Sequence, residues 1–387
     1  MTVARAALAH ARRVVVKVGS RALSSDPSLP ASLTAQLAKA RALPPAQRAQ
    51  VASQDASPRH PSERRFVLVS SGAIALGCGR LGYTQRPKEM SKLQAAAAAG
   101  QSVLMRRYED ACAEHGLIPA QVLLTHADLA DRERLNNARG ALSELLDAGL
   151  LPIVNENDTV STDEIRFGDN DQLAAMVVPL VGAEVLLLLT DVSGVLDAEG
   201  QRLSELPADF QVKEQGKPSG LGSGGIASKV DAARKASRTG AWVVIASASE
   251  PDVIPRLLAG DDVGTLVHPK EGALRARQHW IAYTLRPRGA VVVDHGAAEV
   301  LLAGKSSLLP VGVLGVRGAF NAGDAVLVVD PNGQEVGRGL AHLGAMEVAR
   351  IAGRRRSDLE LLFGHSHGGH GGRELVVVHR DDLVLSR

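Results

Sequence analysis

Lys17 and Lys229 are the residues whose type and surroundings point most directly to chemistry on a phosphate group. Lys17 ends an apolar run and is followed by Gly19, while Lys229 follows a glycine-rich segment that starts at Gly222. A transferring phosphoryl group needs cations and backbone amides to neutralise its spread charge, and glycine lets the backbone approach closely. Two lysines from distant parts of the chain could therefore bracket one phosphate. Alone, each segment is more typical of a surface lysine or a turn, and 222–229 lacks the spacing of a Walker A loop.

A group of acidic and amide residues supplies a second kind of chemistry. Asn155-Glu156-Asn157-Asp158 follows an apolar run, and Gly168-Asp169-Asn170-Asp171 precedes a helical pattern. Helix capping explains one aspartate there, but not the whole group. Such groups can hold the ammonium of a small polar substrate, or place Mg²⁺.

Ser71 and Thr190 end two further apolar runs. Ser71 lacks the Gly-x-Ser-x-Gly context of a hydrolase, so a cradle for a carboxylate or phosphate, with the amides of Gly72 and Ala73, is favoured. Thr190-Asp191 suits nucleotide contacts, although a plain turn explains the pair nearly as well.

The elements that must position these residues alternate between short apolar runs and helical patterns. This is the pattern of a mainly parallel sheet covered by helices on both faces, where ligands bind outside the carboxyl ends of the strands. We expect helices over 91–115, with Ser91 as N-cap, and over 131–148. The predicted strands are Val14–Val18, Phe66–Val69, Gln121–Leu124, Leu151–Val154, Val185–Leu189 and Trp242–Ala246.

The composition excludes several classes of protein. With 44 Lys plus Arg against 42 Asp plus Glu, the chain has no global charge suited to nucleic acid or membranes. Cys78 and Cys112 are too few for a disulfide framework or a zinc site, and we interpret both as structural. No signal peptide or membrane span is evident, so we expect a cytoplasmic protein without membrane contact.

The 387 residues favour two domains. We predict a first domain over 1–285, in which 24–65, rich in Pro, Ser and Gln, forms a mobile insertion, although 29–43 could still be a helix. Turn signals between short strands predict a small β domain over 289–366. Residues 367–387 are a predicted tail. The glycine-histidine stretch 364–370, with His365, His367 and His370, is more typical of a solvated loop than of a metal site.

Together these motifs resemble the amino-acid kinase family, and the β region resembles a PUA domain. The motifs that carry the resemblance are 15–20, 69–75, 131–134, 155–158, 168–171, 188–191 and 222–225. The family implies a three-layer α/β/α sandwich with a mainly parallel sheet, followed by a small β-barrel-like PUA domain. It implies ATP-dependent phosphorylation of the side-chain carboxylate of L-glutamate to L-glutamyl 5-phosphate, the first step of proline synthesis.

The resemblance also implies roles at the matching positions. Lys17 and Lys229 contact the transferring phosphoryl group and Asp171 organises them. The glutamate-binding residues are Ser71, Asp158, Asn170, Asn155, Glu156 and Asp169. The nucleotide-binding residues are Lys17, Thr190, Asp191, Ser223, Gly224, Gly225, Ile226, Ala227, Ser228 and Lys229. ATP and Mg²⁺ are the implied cofactors, proline the implied feedback inhibitor, and a homo-oligomer the implied assembly.

Two alternatives remain open at this stage. Relatives of the same fold act on acetylglutamate, aspartate or carbamate, so the fold alone does not choose the substrate. Asp158 and Asn170 favour a free α-amino group. The PUA-like region could instead bind RNA through a basic cluster, Arg350, Arg354, Arg355 and Arg356, although a solvated helix end explains that cluster more simply.

Overall fold

A computed structural model gives the structure of residues 3–42, 63–160, 170–212, 225–304, 306–355, 357–358 and 375–386. The chain divides into two compact units, Met1–Ala273 and Leu274–Arg387. Each unit has its own sheet.

The first unit is built on a seven-stranded sheet. Its strands are β1 (Arg13–Val18), β2 (Arg65–Val69), β3 (Pro119–Leu124), β4 (Leu151–Glu156), β5 (Val185–Thr190), β6 (Trp242–Ser247) and β7 (Thr265–Val267). The order is β3-β4-β2-β1-β5-β6-β7, and β1 to β6 run parallel while β7 is antiparallel to β6. The chain crosses from one side of β1 to the other between β4 and β5. Ligands of open α/β sheets bind at such a reversal of strand order.

The helices of this unit cover both faces of the sheet. They are α1 (Val3–Ala6), α2 (Ser20–Ser25), α3 (Leu29–Ala42), α4 (Ala73–Arg80), α5 (Met90–Ala113), α6 (His126–Ala130), α7 (Arg132–Asp147), α8 (Asn170–Val181), α9 (Ile226–Ser237) and α10 (Val253–Ala259). Val14 and Val16 of β1 belong to the apolar core formed with Leu33 of α3 and Leu104 of α5. Because side chains alternate along a strand, Lys17 lies on the opposite face, the face on which α8 packs.

The six strands predicted for this sheet are confirmed, and β7, with three residues, was not predicted. The predicted capping residue of α5 is wrong: the helix begins at Met90 and Glu89 occupies the N-cap position that was assigned to Ser91. Within the predicted insertion at 24–65, the helix that the sequence allowed over 29–43 is confirmed as α3, whose buried Leu33 and Leu37 join the core, so a mobile insertion over the whole of 24–65 is wrong. Apolar residues at helical spacing outweigh the polar composition there. Residues 43–62 lie outside the described residues.

The second unit contains a five-stranded sheet of order β12-β11-β10-β8-β9. Its strands are β8 (Gly289–Val293), β9 (Val313–Gly318), β10 (Ala325–Val329), β11 (Glu335–Ala341) and β12 (Val378–Leu385), and its helices are α11 (Ala276–His279), α12 (His295–Leu302) and α13 (Ala345–Ile351). The strands β8 and β10 pair in parallel, and the other neighbours are antiparallel. Buried Val291, Val326 and Val378 belong to its core.

Two segments of the second unit differ from the sequence prediction. Residues 274–285, which the sequence placed at the end of the first domain, cluster here, since Ile281 and Ala282 pack with Leu340 and Val384. The predicted tail at 367–387 contains β12, because its apolar run pairs with β11. His365 and His367 lie outside the described residues. Among the helices that are described, none combines the length and apolar character needed to span a membrane.

Candidate active site

A buried ion-pair triad stands at the carboxyl end of β1. Lys17 Nζ lies 2.5 Å from Asp171 Oδ1, and Lys229 Nζ lies 3.1 Å from Asp171 Oδ2. Asp171 is 0% exposed, Lys17 4% and Lys229 7%. A buried charge is tolerated only when it is paired. One carboxylate therefore holds two ammonium groups, one from each side, as the sequence predicted for an organising aspartate.

Each member of the triad is placed by a different element. Lys17 is carried by β1, Asp171 lies in the first turn of α8, and Lys229 lies near the start of α9. A carboxylate in the first turn is favoured by the positive end of the helix dipole. Gln172 of α8 donates from Nε2 to Asp231 Oδ2 of α9 at 2.9 Å, which ties the two helices together.

A relay of amide and hydroxyl groups lies beside the triad, because Asn170 directly precedes Asp171. Asn170 Nδ2 contacts three acceptors: Ser71 Oγ at 2.7 Å, Ser70 O at 2.8 Å and Asn155 Oδ1 at 3.0 Å. Ser71 is followed by Gly72, whose φ of 97° is in the left-handed region that favours glycine, and α4 begins immediately after it. The ends of β2 and β4 and the start of α8 are thereby joined at one point.

Two predicted carboxylates lie at or after the end of β4. Glu156 is buried as the last residue of the strand. Burial raises the pKa of Asp158 to about 6, an effect that the positive charge of Arg86 partly offsets. A carboxylate kept from water in this way gains strongly from a cationic partner, such as a substrate ammonium.

The end of β5 and the start of α9 form the predicted nucleotide side of the site. Thr190 Oγ1 donates to Asp191 Oδ1 at 2.9 Å, and Arg21 Nη1 lies 3.6 Å from Asp191 Oδ2. Partial burial opposes ionisation of Asp191, but the Thr190 hydrogen bond and the charges of Arg21 and Lys229 lower its pKa. Asp191 therefore lies in the field of one triad lysine.

The start of α9 is suited to an anion. Gly225 occupies the N-cap position, and no side chain among the described residues caps the helix there. The first amides of Ile226, Ala227 and Ser228 have no intrahelical acceptor, as at every helix start. Such amides, with the helix dipole, bind phosphate. Three other predicted residues, Asp169, Ser223 and Gly224, lie outside the described residues.

Gly19 borders the triad directly. Its backbone N–H donates to Leu189 O at 3.3 Å, which ties β1 to β5 at the end of the sheet. A Cβ placed on Gly19 would lie 3.8 Å from Lys17 Nζ, an ordinary contact distance. Residue 19 therefore has room for a methyl group in the fold, but that methyl would stand beside the ammonium group.

Sequence reasoning missed two polar residues of α5 that support the relay. Gln101 accepts through Oε1 from Asn155 Nδ2 at 2.9 Å, and the hydroxyl groups of Tyr108 and Ser70 lie 2.9 Å apart. The two positions are seven residues apart, which places them on one face of the helix. The seven-residue spacing can be seen in the sequence of this alanine-rich segment. The hydrogen-bond partners cannot, because Ser70 lies 38 residues from Tyr108 and Asn155 lies 54 residues from Gln101.

Comparison with known proteins agrees with this geometry. The model of the amino acid kinase family matches residues 12–247, and that of the PUA domain matches 289–360. A glutamate 5-kinase of Thioalkalivibrio sulfidiphilus is 45% identical over 399 aligned residues, covering 100% of both chains. A glutamate 5-kinase of Ralstonia nicotianae is 44% identical and covers 98% of this chain and 99% of its own.

One solved structure, a PUA domain from Aeropyrum pernix K1, is 34% identical and covers 16% of this chain and 35% of its own, with a TM-score of 0.16. That overlap is too small to bear on the fold. The family match and the relatives are decisive by themselves. The chain belongs to the amino acid kinase family, and it is a phosphotransferase. Within that family, its similarity over the full length places it among the glutamate 5-kinases.

Proposed function

We propose that this chain transfers the γ-phosphoryl group of ATP to the side-chain carboxylate of L-glutamate at the site between β1, α8 and α9. The products are ADP and L-glutamyl 5-phosphate, and the reaction is the first step of proline synthesis. The observation that supports the site is the adjacency of Asn170 and Asp171. One residue belongs to an amide pocket suited to an amino acid, and the other holds two lysines suited to a phosphoryl group.

The chemistry needs charge stabilisation rather than a base. The acceptor is a carboxylate, which is already ionised at neutral pH, so one of its oxygens attacks the γ-phosphorus while the bond to the β–γ bridging oxygen breaks. The electron pair of that bond leaves with ADP. Lys17 and Lys229 neutralise the charge that shifts across the phosphoryl oxygens, and Asp171 keeps both ammonium groups aimed at one place.

The pocket selects an amino acid with a free α-amino group. Asn170 uses Nδ2 for all three of its hydrogen bonds within the described residues, which leaves its Oδ1 as an acceptor. Asp158 adds a partly buried carboxylate. We assign both residues to the substrate ammonium, and Ser71 with the start of α4 to its α-carboxylate. Asn155 and Glu156 support this pocket, and we extend it to Asp169.

The nucleotide is held by Thr190, Asp191 and the segment from Ser223 to Lys229. Within the described residues, no cluster of three or more His, Cys, Asp or Glu side chains could hold a metal ion. Asp171 is also engaged by two lysines. We propose that Mg²⁺ arrives with the ATP phosphates, whose charge it neutralises.

A coupled assay of ADP release tests the function. Glutamate, N-acetylglutamate, aspartate and carbamate are compared at equal concentration. We expect glutamate to stimulate turnover above the other three, with L-glutamyl 5-phosphate trapped as its hydroxamate. Equal or greater turnover with another acceptor would reject the assignment.

Regulation and assembly extend the proposal. Proline resembles glutamate in its α-amino and α-carboxylate groups, so we propose that it inhibits by occupying the same pocket. We also propose a homo-oligomer and a cytoplasmic location, with the kinase domain formed by the first unit, Met1–Ala273, and the PUA domain lying within the second unit, Leu274–Arg387.

RNA binding by the second unit is a secondary candidate. Arg350, Arg354 and Arg355 are exposed at the end of α13. A titration with structured RNA at two salt concentrations tests it, because phosphate contacts weaken steeply with salt. Salt-independent or absent binding would remove this activity.

A further inference from the structure

Gln101 is a polar residue of α5 to which the proposed function gives no role. Its Oε1 accepts from Asn155 Nδ2 at 2.9 Å. Its Nε2 is buried and has no hydrogen-bond partner among the residues that the structure describes. Leaving a buried donor unpaired costs about 1–3 kcal/mol, so the orientation of this amide must be favoured by what its oxygen does.

The orientation of the relay follows from one group that cannot be reversed. The backbone N–H of Glu156 can only donate, and it donates to Asn155 Oδ1 at 2.9 Å. Asn155 must therefore turn Nδ2 away from Glu156, toward Gln101, and only Oε1 of Gln101 can accept there. The same Oδ1 of Asn155 also accepts a hydrogen bond from Asn170. Since only the nitrogen of the Asn170 amide can donate, Nδ2 of Asn170 must face Asn155.

The consequence reaches the substrate pocket. With Nδ2 of Asn170 committed to Ser71, Ser70 and Asn155, its carbonyl oxygen is the atom left for a ligand. A carbonyl acceptor suits an ammonium group, whereas a reversed amide would present a donor and repel it. The acceptor on Gln101 thus determines which end of Asn170 a substrate meets.

Close packing of α5 against α4 holds Gln101 in place. A Cβ on Gly100 would lie 1.8 Å from Ala73 O, and a Cβ on Gly77 would lie 1.7 Å from Ala96 O. Two glycines therefore let the helices approach until their backbones touch. The helix α4, which begins directly after Gly72, is thereby packed tightly against the helix that carries Gln101.

We propose that Gln101 is a positioning residue that fixes the polarity of the Asn155 and Asn170 amides, and thereby sets the preference of the pocket for a substrate with a free ammonium group. This inference deepens the proposed function and rests on it. It assigns the role to the oxygen of Gln101 and not to its nitrogen.

The test is steady-state kinetics on three variants of the full chain. Gln101→Met removes the acceptor at similar volume, Gln101→Glu keeps an oxygen for Asn155, and Ser102→Ala is a control at the exposed neighbouring position. We expect Gln101→Met to raise the glutamate KM about 3- to 10-fold, the worth of one neutral hydrogen bond, with kcat for saturating ATP and glutamate within 2-fold. Gln101→Glu and Ser102→Ala should stay within about 3-fold of the wild-type KM.

A double-mutant cycle separates positioning from a general structural effect. In an Asn155→Ala background, Gln101→Met should change the KM by less than 2-fold, because the residue through which it acts is gone. An unchanged KM in Gln101→Met, an equal rise in Gln101→Glu, or additive effects in the double variant would each overturn the proposal. Thermal unfolding of every variant identifies a loss of fold.

Different results would disprove the proposed function and the proposed role of Gln101. If wild-type protein does not phosphorylate glutamate, the proposed function is wrong. If wild-type protein is active and Gln101→Met keeps its glutamate KM, only the role of Gln101 is wrong.

Discussion

Asn170 and Asp171 are neighbours in the first turn of α8, yet their side chains serve two different groups. Asn170 Nδ2 lies 2.7 Å from Ser71 Oγ, and Asp171 Oδ1 lies 2.5 Å from Lys17 Nζ. The first contact belongs to the proposed substrate pocket and the second to the cationic triad. Since adjacent residues of a helix point about 100° apart, one turn of helix sets the separation between acceptor and phosphoryl group.

The triad lysines should affect turnover more than binding. We expect Lys17→Ala and Lys229→Ala each to lower kcat about 100- to 1000-fold with a smaller change in the glutamate KM, because their charges act where negative charge is redistributed. Lys235→Ala is the matched control, since Lys235 lies on α9 too but pairs with Asp231. Wild-type kcat in either folded lysine variant would remove that residue from catalysis.

The triad also makes a prediction for stability. Asp171→Ala leaves two buried ammonium groups without their carboxylate, so we expect a loss of about 3–5 kcal/mol in the free energy of unfolding. Lys17→Met should cost less, because Asp171 keeps Lys229 as a partner. Urea unfolding of both variants measures the difference. Equal losses would show that the carboxylate does not act as the shared counterion.

Asp158 predicts a pH dependence of substrate binding. Its pKa is raised to about 6 by burial, and a bound ammonium must lower it, so glutamate binds the ionised form. Affinity is then complete above pH 6 and is lost as pH falls below it, with the KM rising up to about 10-fold per pH unit. Glutamate KM is measured from pH 5 to 8. Asp158→Asn should show a higher KM without this dependence, and an unchanged slope in that variant would contradict the assignment.

Overlap of proline with the pocket is tested through the same residues. Asp158→Ala and Asn170→Ala should raise the glutamate KM about 10- to 150-fold, the worth of a charge-assisted hydrogen bond, with little change in kcat. If proline occupies the same pocket, the concentration for half inhibition should rise in parallel. A raised KM beside an unaltered proline response would place the inhibitor elsewhere.

Gly19 predicts a loss of activity without a loss of fold. Its φ of −77° is open to any residue, and the added Cβ meets no atom closer than 3.8 Å. The methyl group of Gly19→Ala would nevertheless stand beside Lys17 Nζ, where the phosphoryl group must approach, so we expect kcat to fall at least about 10-fold with unfolding unchanged. Gly140→Ala, on α7 with open space around it, should leave kcat unaltered. Full activity in Gly19→Ala would show that the phosphate lies further away.

The sequence by itself determined the central sheet and predicted the polar residues that meet at its carboxyl edge. Buried parallel strands are continuous apolar runs, so the sequence predicts β1, β2, β4, β5 and β6. Ligands bind at the carboxyl ends of such strands, so the ends of these runs also predict which edge of the sheet carries the site. The family resemblance predicted that Asp171 organises the two lysines; the structure pairs Asp171 with both Lys17 and Lys229, and the role of this triad in the reaction stays a prediction.

Only the tertiary structure decided which segments pack or pair with each other over long distances in the chain. The sequence allowed a helix at α3, but only its packing against the core shows that it is an ordered part of the domain. The strand β12 likewise depends on its partner strand β11. Gln101 and Asn155 are 54 residues apart in the chain, and no motif near either residue predicts their hydrogen bond. The direction of each hydrogen bond that links Gln101, Asn155 and Asn170 arises from three-dimensional contacts between distant segments, which a linear pattern cannot specify.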